Sequence, residues 1–244
     1  MPPKISLACI NIEMSEHLDE VCAFLSQRKP EVVCIQELYE RDIERLSAAL
    51  DGAAYVFAPM TRRTDADIVM GIAIFSRLNI TNKSAIYYRG SPEFAPRFDP
   101  TDRETKSRTQ NHLIIVCDVE KDGVPSRVAT THFTWTPDGQ ADDIQRHDLK
   151  VLLNRLEALD EFVLCGDFNF PRGGELFTVM SDRFKDNIPL RYTTSIDPNL
   201  HRAGALELMV DGLFSTPGYV VSDVALHSGV SDHCAITCAI SRAA

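Results

Sequence analysis

Apolar and polar positions along the chain predict many strands and few helices. "KISLACINI" (4–12) and "EVVCIQEL" (31–38) are near-continuous apolar runs of strand length, the pattern of strands buried on both faces. Between them, "SEHLDEVCAFLSQRK" places Leu18, Val21, Cys22 and Leu25 on one face of a helix, with Ser15 as its expected N-cap, acids in its first turn and Pro30 closing it. "RDIERLSAAL" predicts a short helix stopped at Asp51-Gly52. Five strand-like runs follow, "AAYVFAP", "VMGIAIFS", "ITNKSAIYY", "NHLIIVCDVE" and "SRVATTHFTW", with "KDG" at 121–123 marking a hairpin between the last two. The longest helix is expected in "DDIQRHDLKVLLNRLEAL", with Ile144, Leu149, Leu152, Leu153 and Leu156 as its stripe. Beyond it come the strand "EFVLCGDF", a short helix in "ELFTVMSD", and three closing strands in "LELMVDGLFS", "YVVSDVAL" and "CAITCAI". Two long irregular segments, 88–108 and 183–205, are of the length usually reserved for function or mobility.

Many strands with a few interspersed helices imply an α/β protein in which two sheets pack face to face and helices cover the outside. A chain of 244 residues, 44% hydrophobic and 25% charged, can build that as one domain spanning 1–244 with an ordinary core. Its 25 basic and 35 acidic residues give a formal charge of −10, which argues against a protein that coats nucleic acid by charge alone. Seven cysteines are an odd number. Cys9, Cys34, Cys117, Cys165, Cys234 and Cys238 lie in apolar runs, as free buried thiols do. With no evident secretory signal and no apolar stretch of spanning length, a reduced, cytoplasmic, monomeric protein without a membrane span is expected.

Several strand-like runs end in groups that are costly to bury unpaired. "LACINIE" carries Asn11 and Glu13, "VVCIQEL" carries Gln36 and Glu37, and "VATTHFTW" carries His132. "VLCGDFNF" carries Asp167 and Asn169 two positions apart, so both fall on one face if the strand continues. "LELMVDGLF" carries Asp211, and "GVSDHCAITCAI" sets Asp232 and His233 before an apolar strand. Singly, each could be a turn residue, a cap or a satisfied core histidine. If the strand ends share one edge, Glu37, Asp167, Asp211 and Asp232 repel one another, and a divalent cation relieves them. Oxygen ligands without Cys suit Mg²⁺, with Mn²⁺ as a substitute.

"QE" at 36–37, "GDFN" at 166–169 and "SDH" at 231–233, ordered after a first strand ending in Asn11, resemble the endonuclease/exonuclease/phosphatase superfamily of metal-dependent phosphodiesterases. The resemblance runs from Ile5 to Ile240 and implies a four-layered α/β sandwich of two mostly antiparallel sheets. It implies Glu37 as the principal Mg²⁺ ligand, with Asn11 beside it and Asp232 supporting the metal region. Asp167 would orient or deprotonate the attacking water, and Asn169 would fix that geometry. His233 would contact the scissile phosphate, held by Asp211, and His132 would meet the phosphate or the leaving oxygen. Arg108 resembles a family Arg that touches substrate phosphate. Which of Asp167 and His233 is the base stays open, as does the role of Glu13.

The implied substrate is a phosphodiester in nucleic acid or at a nucleic-acid end. A small or lipid-linked phosphoester is the alternative, favoured by the acidic charge, and a non-catalytic binding member is a third. The segment "YYRGSPEFAPRFDPTDRETKSR" bears on the choice. Its Tyr87, Tyr88, Phe94 and Phe98 could stack on bases or could simply pin the loop.

Overall fold

The computed structural model describes residues 2–64, 67–98, 109–137 and 139–243. In chain order these form β1 (Ile5–Asn11), α1 (Leu18–Arg28), β2 (Val32–Tyr39), α2 (Ile43–Ala49), β3 (Ala54–Arg63), β4 (Val69–Ser76), β5 (Asn79–Arg89), β6 (Arg97–Phe98), β7 (His112–Lys121), β8 (Val124–His132), α3 (Asp143–Leu156), β9 (Val163–Asp167), α4 (Glu175–Ser181), β10 (Lys185–Asp186), β11 (Asp211–Ser215), β12 (Tyr219–His227) and β13 (Ala235–Arg242). They assemble into a seven-stranded sheet, β12-β13-β1-β2-β4-β3-β6, and a six-stranded sheet, β10-β11-β9-β8-β7-β5. Most neighbours are antiparallel; β1–β2, β8–β9 and β3–β6 are parallel. The expected α/β sandwich is therefore present.

Three apolar clusters define its layers. Cys9, Cys34, Ile72, Ile115, Cys165 and Leu213 fill the space between the sheets. Leu149, Leu152, Leu153 and Leu156 of α3 pack with Leu164 and Phe168 outside the six-stranded sheet, while Val21 and Leu25 of α1 and Leu46 of α2 pack with Ile10 and Ile35 outside the other. All seven cysteines are free, and the six expected to be buried are buried. No helix among the described residues is long and apolar enough to cross a membrane.

The topology explains why polar groups collect at one edge. β1–α1–β2 and β8–α3–β9 are crossover units joining adjacent parallel strands, so the C-terminal ends of all four strands point the same way. In open α/β sheets ligands bind at that end. β11 runs antiparallel to β9, with Asp211 opposite Asp167, and β13 runs antiparallel to β1, so both begin where their neighbours finish. Gly166 has a steric role here. It faces Thr131 across the parallel pair, and a Cβ on it would stand 2.0 Å from the Thr131 carbonyl oxygen.

Some local expectations are corrected. Ser15 does not cap α1, because Glu13, Met14 and Ser15 all take left-handed φ (41°, 54° and 62°), and the helix starts at Leu18. The Ser15 hydroxyl instead accepts a hydrogen bond from the Tyr39 amide. Only Asp211–Ser215 of the run at 206–215 joins a ladder. On α3, Ile144 is half-buried, while polar Gln145 and Asp148 are buried beside the leucines. The hairpin at 121–123 is as expected, with Asp122 and Gly123 both left-handed and Lys121 opposite Val124.

Candidate functional site

Each polar group noted at a strand end arrives by a specific local device. Asn11 is the last residue of β1, and His132 and Asp167 are the last of β8 and β9, in register with each other. Glu37 sits in a bulge of β2, where the register against β4 shifts between Ile35 and Leu38 and Glu37 takes φ 58°. The bulge separates two side chains that a regular strand would simply alternate. Gln36 is fully buried and bonds Thr130 Oγ1 of the opposite sheet at 2.8 Å, while the Glu37 side chain reaches the edge. Asp211 is held by Ser195, whose hydroxyl accepts from the Val210 and Asp211 amides at 3.1 Å. The segment before β13 is pinned by the 195–197 loop, through Cys234 N to Ser195 O (2.7 Å) and Asp197 N to Asp232 O (2.8 Å).

Asp167 is the hub. Its Oδ2 accepts from Asn11 Nδ2 at 3.0 Å and lies 3.6 Å from His132 Nε2 and 4.0 Å from His233 Nε2. Its Oδ1 accepts from the Asn169 amide at 2.8 Å. Asn11 Nδ2 also reaches Glu37 Oε1 at 3.4 Å, and Glu37 Oε1 is 3.7 Å from His132 Nε2. His233 Nδ1 meets Asp211 Oδ2 at 2.7 Å. Asn169, at φ 52°, turns its amide to donate to Phe133 O at 2.9 Å rather than forward into the edge. The carboxylate of Glu13 pairs with His17 at 3.0 Å. One face therefore gathers Asn11, Glu37, His132, Asp167, Asp211 and His233, with Asn169 and Asp232 flanking them.

The charges do not balance. Burial raises Asp167, and Asp211 beside it raises it further against the pull of His233 and His132. Burial pushes Asp232 up to about 7, with the negative fields of Glu37 and Glu13 adding to it. Burial alone would lower His233, but Asp211 and Asp167 outweigh it and hold the imidazole well above its ordinary range. Among the described residues this edge carries more carboxylates than cations, which suits a hard metal ion. Ligand atoms of Asp167, Asp211 and His233 lie within 4.8 Å of one another, a possible metal site. No thiol joins the group, since Cys9 and Cys165 lie beneath it in the core between the sheets.

A narrow cleft, about 40 Å³ once the open solvent at its mouth is left out, opens beside this cluster. Glu37, His132 and Asn169 form its inner edge, and Met14, Met70, Phe98, Phe133 and Trp135 its walls. Of these walls only Phe98 was singled out from the sequence; Met14, Met70, Phe133 and Trp135 come from separate strands and connections and look like ordinary hydrophobes. Sequence reasoning also missed Gln145 and Asp148, which buttress the site. Gln145 Nε2 bonds Thr134 O at 2.6 Å and approaches Asn169 O at 3.4 Å, and the Thr134 hydroxyl bonds Asp148. Their signal was readable, two polar residues at same-face spacing on an apolar stripe. Arg108 lies outside the described residues, as does most of the basic part of its segment. Of the aromatics there, Tyr88 is buried against Thr131, Tyr87 packs on the core, and Phe94 is 66% exposed.

Residues 9–233 match the model of the Endonuclease/Exonuclease/phosphatase family. The chain belongs to that family of phosphoesterases. The endonuclease/exonuclease/phosphatase structure from Bacteroides vulgatus superposes with a TM-score of 0.74 at 14% identity, covering 99% of this chain and 100% of its own. The mannosyl-6-phosphatase Bt3783 of Bacteroides thetaiotaomicron gives 0.69 at 15% identity, covering 97% and 99%. The catalytic domain of human nocturnin with bound sulfate gives 0.72 at 15% identity, covering 99% and 94%. A search of curated proteins finds no match.

Proposed function

We propose that the protein is a Mg²⁺-dependent phosphodiesterase acting on nucleic acid or nucleic-acid ends. The observation that carries this is the convergence of Asn11, Glu37, His132, Asp167 and the Asp211–His233 pair from both sheets onto one partly charged edge. Glu37, with Asn11 and Asp232, would hold the metal. When bound, the ion supplies the positive charge that offsets charge building on the phosphoryl oxygens. Asp167 directs water from its buried hub, steadied by Asn11 and the Asn169 amide. Asn169 acts here mainly through its backbone, since its side chain is engaged with Phe133 O.

His233 is better suited to meeting phosphate than to binding metal. Its Nδ1 is already committed to Asp211, and the raised affinity of the ring for a proton leaves Nε2–H as a charged donor placed before the reaction begins. His132 Nε2 faces the same space. Arg108 is retained as a candidate phosphate contact. The net charge of −10 favours a second reading, hydrolysis of a small phosphoester, because a polyanion gains no general attraction from this surface.

The test is hydrolysis in Mg²⁺ or Mn²⁺ of single- and double-stranded DNA, RNA, sugar phosphates and inositol phosphates. Turnover of DNA or RNA that stops with chelator and weakens as salt rises supports the first reading. Turnover of only small phosphates supports the second, and no metal-dependent turnover refutes both.

A further inference from the structure

We infer that Gln145 is a positioning residue for hydrolysis: buried on α3, it holds Asn169 in the left-handed conformation that aims the Asn169 amide at Asp167. This deepens, and rests on, the phosphoesterase reading of the neighbouring edge. The first support is a chain of contacts. Asp167 ends β9, and the chain turns there so that the Asn169 amide donates to Asp167 Oδ1 at 2.8 Å. The turn needs φ 52°, a strained value for any residue but glycine, although Asn tolerates it better than most. Two side-chain contacts hold it. Asn169 Nδ2 donates to Phe133 O at 2.9 Å, and the Asn169 carbonyl faces Gln145 Nε2 at 3.4 Å. The same Nε2 donates to Thr134 O at 2.6 Å, so one amide group ties together the chain leaving β8 and the chain leaving β9.

The second support is that stability alone does not account for a glutamine here. Gln145 is fully buried on the helix face that also carries Leu149, Leu152, Leu153 and Leu156. Both groups in front of its Nε2 are carbonyl oxygens, so the NH₂ end must point at them and the oxygen end must point away. That oxygen, Oε1, is buried without a hydrogen-bond partner. A stranded acceptor in the interior is costly, and a leucine or methionine would avoid it. What the glutamine adds over either is a donor group directed at the Thr134 and Asn169 carbonyls.

The third support is that Gln145 is itself held in place. Asp142 caps α3, its Oδ1 accepting from the Gln145 amide at 2.7 Å. One turn further along, buried Asp148 accepts from the Thr134 hydroxyl and pairs with Arg89 Nη1 at 3.2 Å. Thr134 is thereby gripped by both polar residues of the stripe, and α3 is anchored to the sheet by its leucines. Gln145 does not line the cleft beside Asp167, so it acts through Asn169 rather than on substrate. Such a rigid backing is what keeps a functional side chain in its working geometry.

Gln145→Met keeps the length and removes the donor, and Gln145→Leu provides a second variant of different shape. The intact protein in Mg²⁺ is assayed with 4-nitrophenyl phosphate and bis(4-nitrophenyl) phosphate. In both variants kcat should fall on the order of ten- to a hundredfold, as for groups that orient a functional side chain from behind, while KM holds within about twofold. Hydrogen exchange gives a readout without turnover: the Asn169 amide should lose protection while the ladder amides of β8 and β9 keep theirs. In an Asn169→Ala background, Gln145→Met should lower kcat by about twofold or less, because both substitutions act through one amide. Native kcat in either folded variant, a loss carried by KM, protection lost equally along β8 and β9, or fully additive losses in the double variant overturns the proposal. Unfolding of both single variants would assign Gln145 to stability and overturn it as well. Metal-dependent hydrolysis with kcat and Asn169 protection unmoved by the substitutions sinks the role of Gln145 alone. Loss of Asn169 protection in a protein whose native form hydrolyses no phosphoester sinks the phosphoesterase reading alone.

Discussion

Replacing Asp211 with Asn tests the electrostatic core of the site with little change in shape. In the native protein His233 Nδ1 and Asp211 Oδ2 are 2.7 Å apart, and the two side chains are 11% and 3% exposed, so water screens the pair poorly. A hydrogen bond between charged partners contributes about 1.5–3 kcal/mol. If the phosphate-facing proton depends on it, kcat/KM near neutral pH should fall roughly ten- to a hundredfold. The pH profile carries the more specific signature. Burial pushes the imidazole down while Asp211 and Asp167 push it up and prevail, so the cation persists well above the ordinary value of 6.5. Activity that needs the cation is lost as pH rises through the raised value. In Asp211→Asn only Asp167 of the two main opposing charges remains, and that alkaline limb should move to lower pH. Stability follows the same sign: a raised histidine contributes fully below its unfolded value and loses that contribution as pH climbs through the folded one. The gap in Tm between native and variant protein should therefore narrow at high pH. Steady-state hydrolysis of a nitrophenyl ester across pH, with melts in the same buffers, provides both readouts. An alkaline limb that does not move, or a stability gap that widens with pH, refutes the reasoning.

Three further outcomes are expected. Asp167→Asn should lower kcat by about 10²–10⁴, the usual range for a group that orients or deprotonates the attacking water. It should also raise the Tm of metal-free protein, because a carboxyl raised by burial costs stability wherever it is ionised; a lowered Tm in chelator would contradict this. Glu37→Gln should shift the Mg²⁺ concentration for half-maximal activity upward, and an unchanged metal titration would remove Glu37 from the ligand set. Away from the site, Arg127 forks onto Asp118 at 2.9 and 3.2 Å, and Arg127→Met should cost about 1–3 kcal/mol in urea unfolding at pH 7. Burial would raise Asp118, but Arg127 and Asn82 outweigh it, so its contribution is present at neutral pH. The cost of the variant should fade as pH drops below the ordinary carboxylate range.

The gathering of polar groups at the edge was legible because buried strands that end in Asn, Glu, His or Asp break an otherwise apolar pattern. The motifs QE, GDFN and SDH, in that order after Asn11, carried the resemblance to the family that the family model confirms. The path into α1 was not legible. Glu13, Met14 and Ser15 carry no glycine to announce three left-handed residues, and a Ser followed by acids resembles a capped helix start. The bulge that separates Gln36 from Glu37 is equally silent, since it depends on pairing with β4 rather than on composition. The cleft walls come from residues 14 to 135, and nothing in the sequence brings those positions together. Gln145 and Asp148 were within reach, had the polar pair on the α3 stripe been weighed against the leucines around it.

Asn11, Glu37 and His233 hang from one sheet, and His132, Asp167 and Asp211 from the other. The seam between the two sheets thus runs through the middle of the chemistry. Any slippage there, of a few tenths of an ångström, alters the separations that matter without unravelling a single strand. The middle layer of Cys9, Cys34, Ile115 and Cys165 has a second duty as the spacer that keeps both halves of the site at working distance. Turnover should accordingly register a poorly filled spacer before a melting curve does.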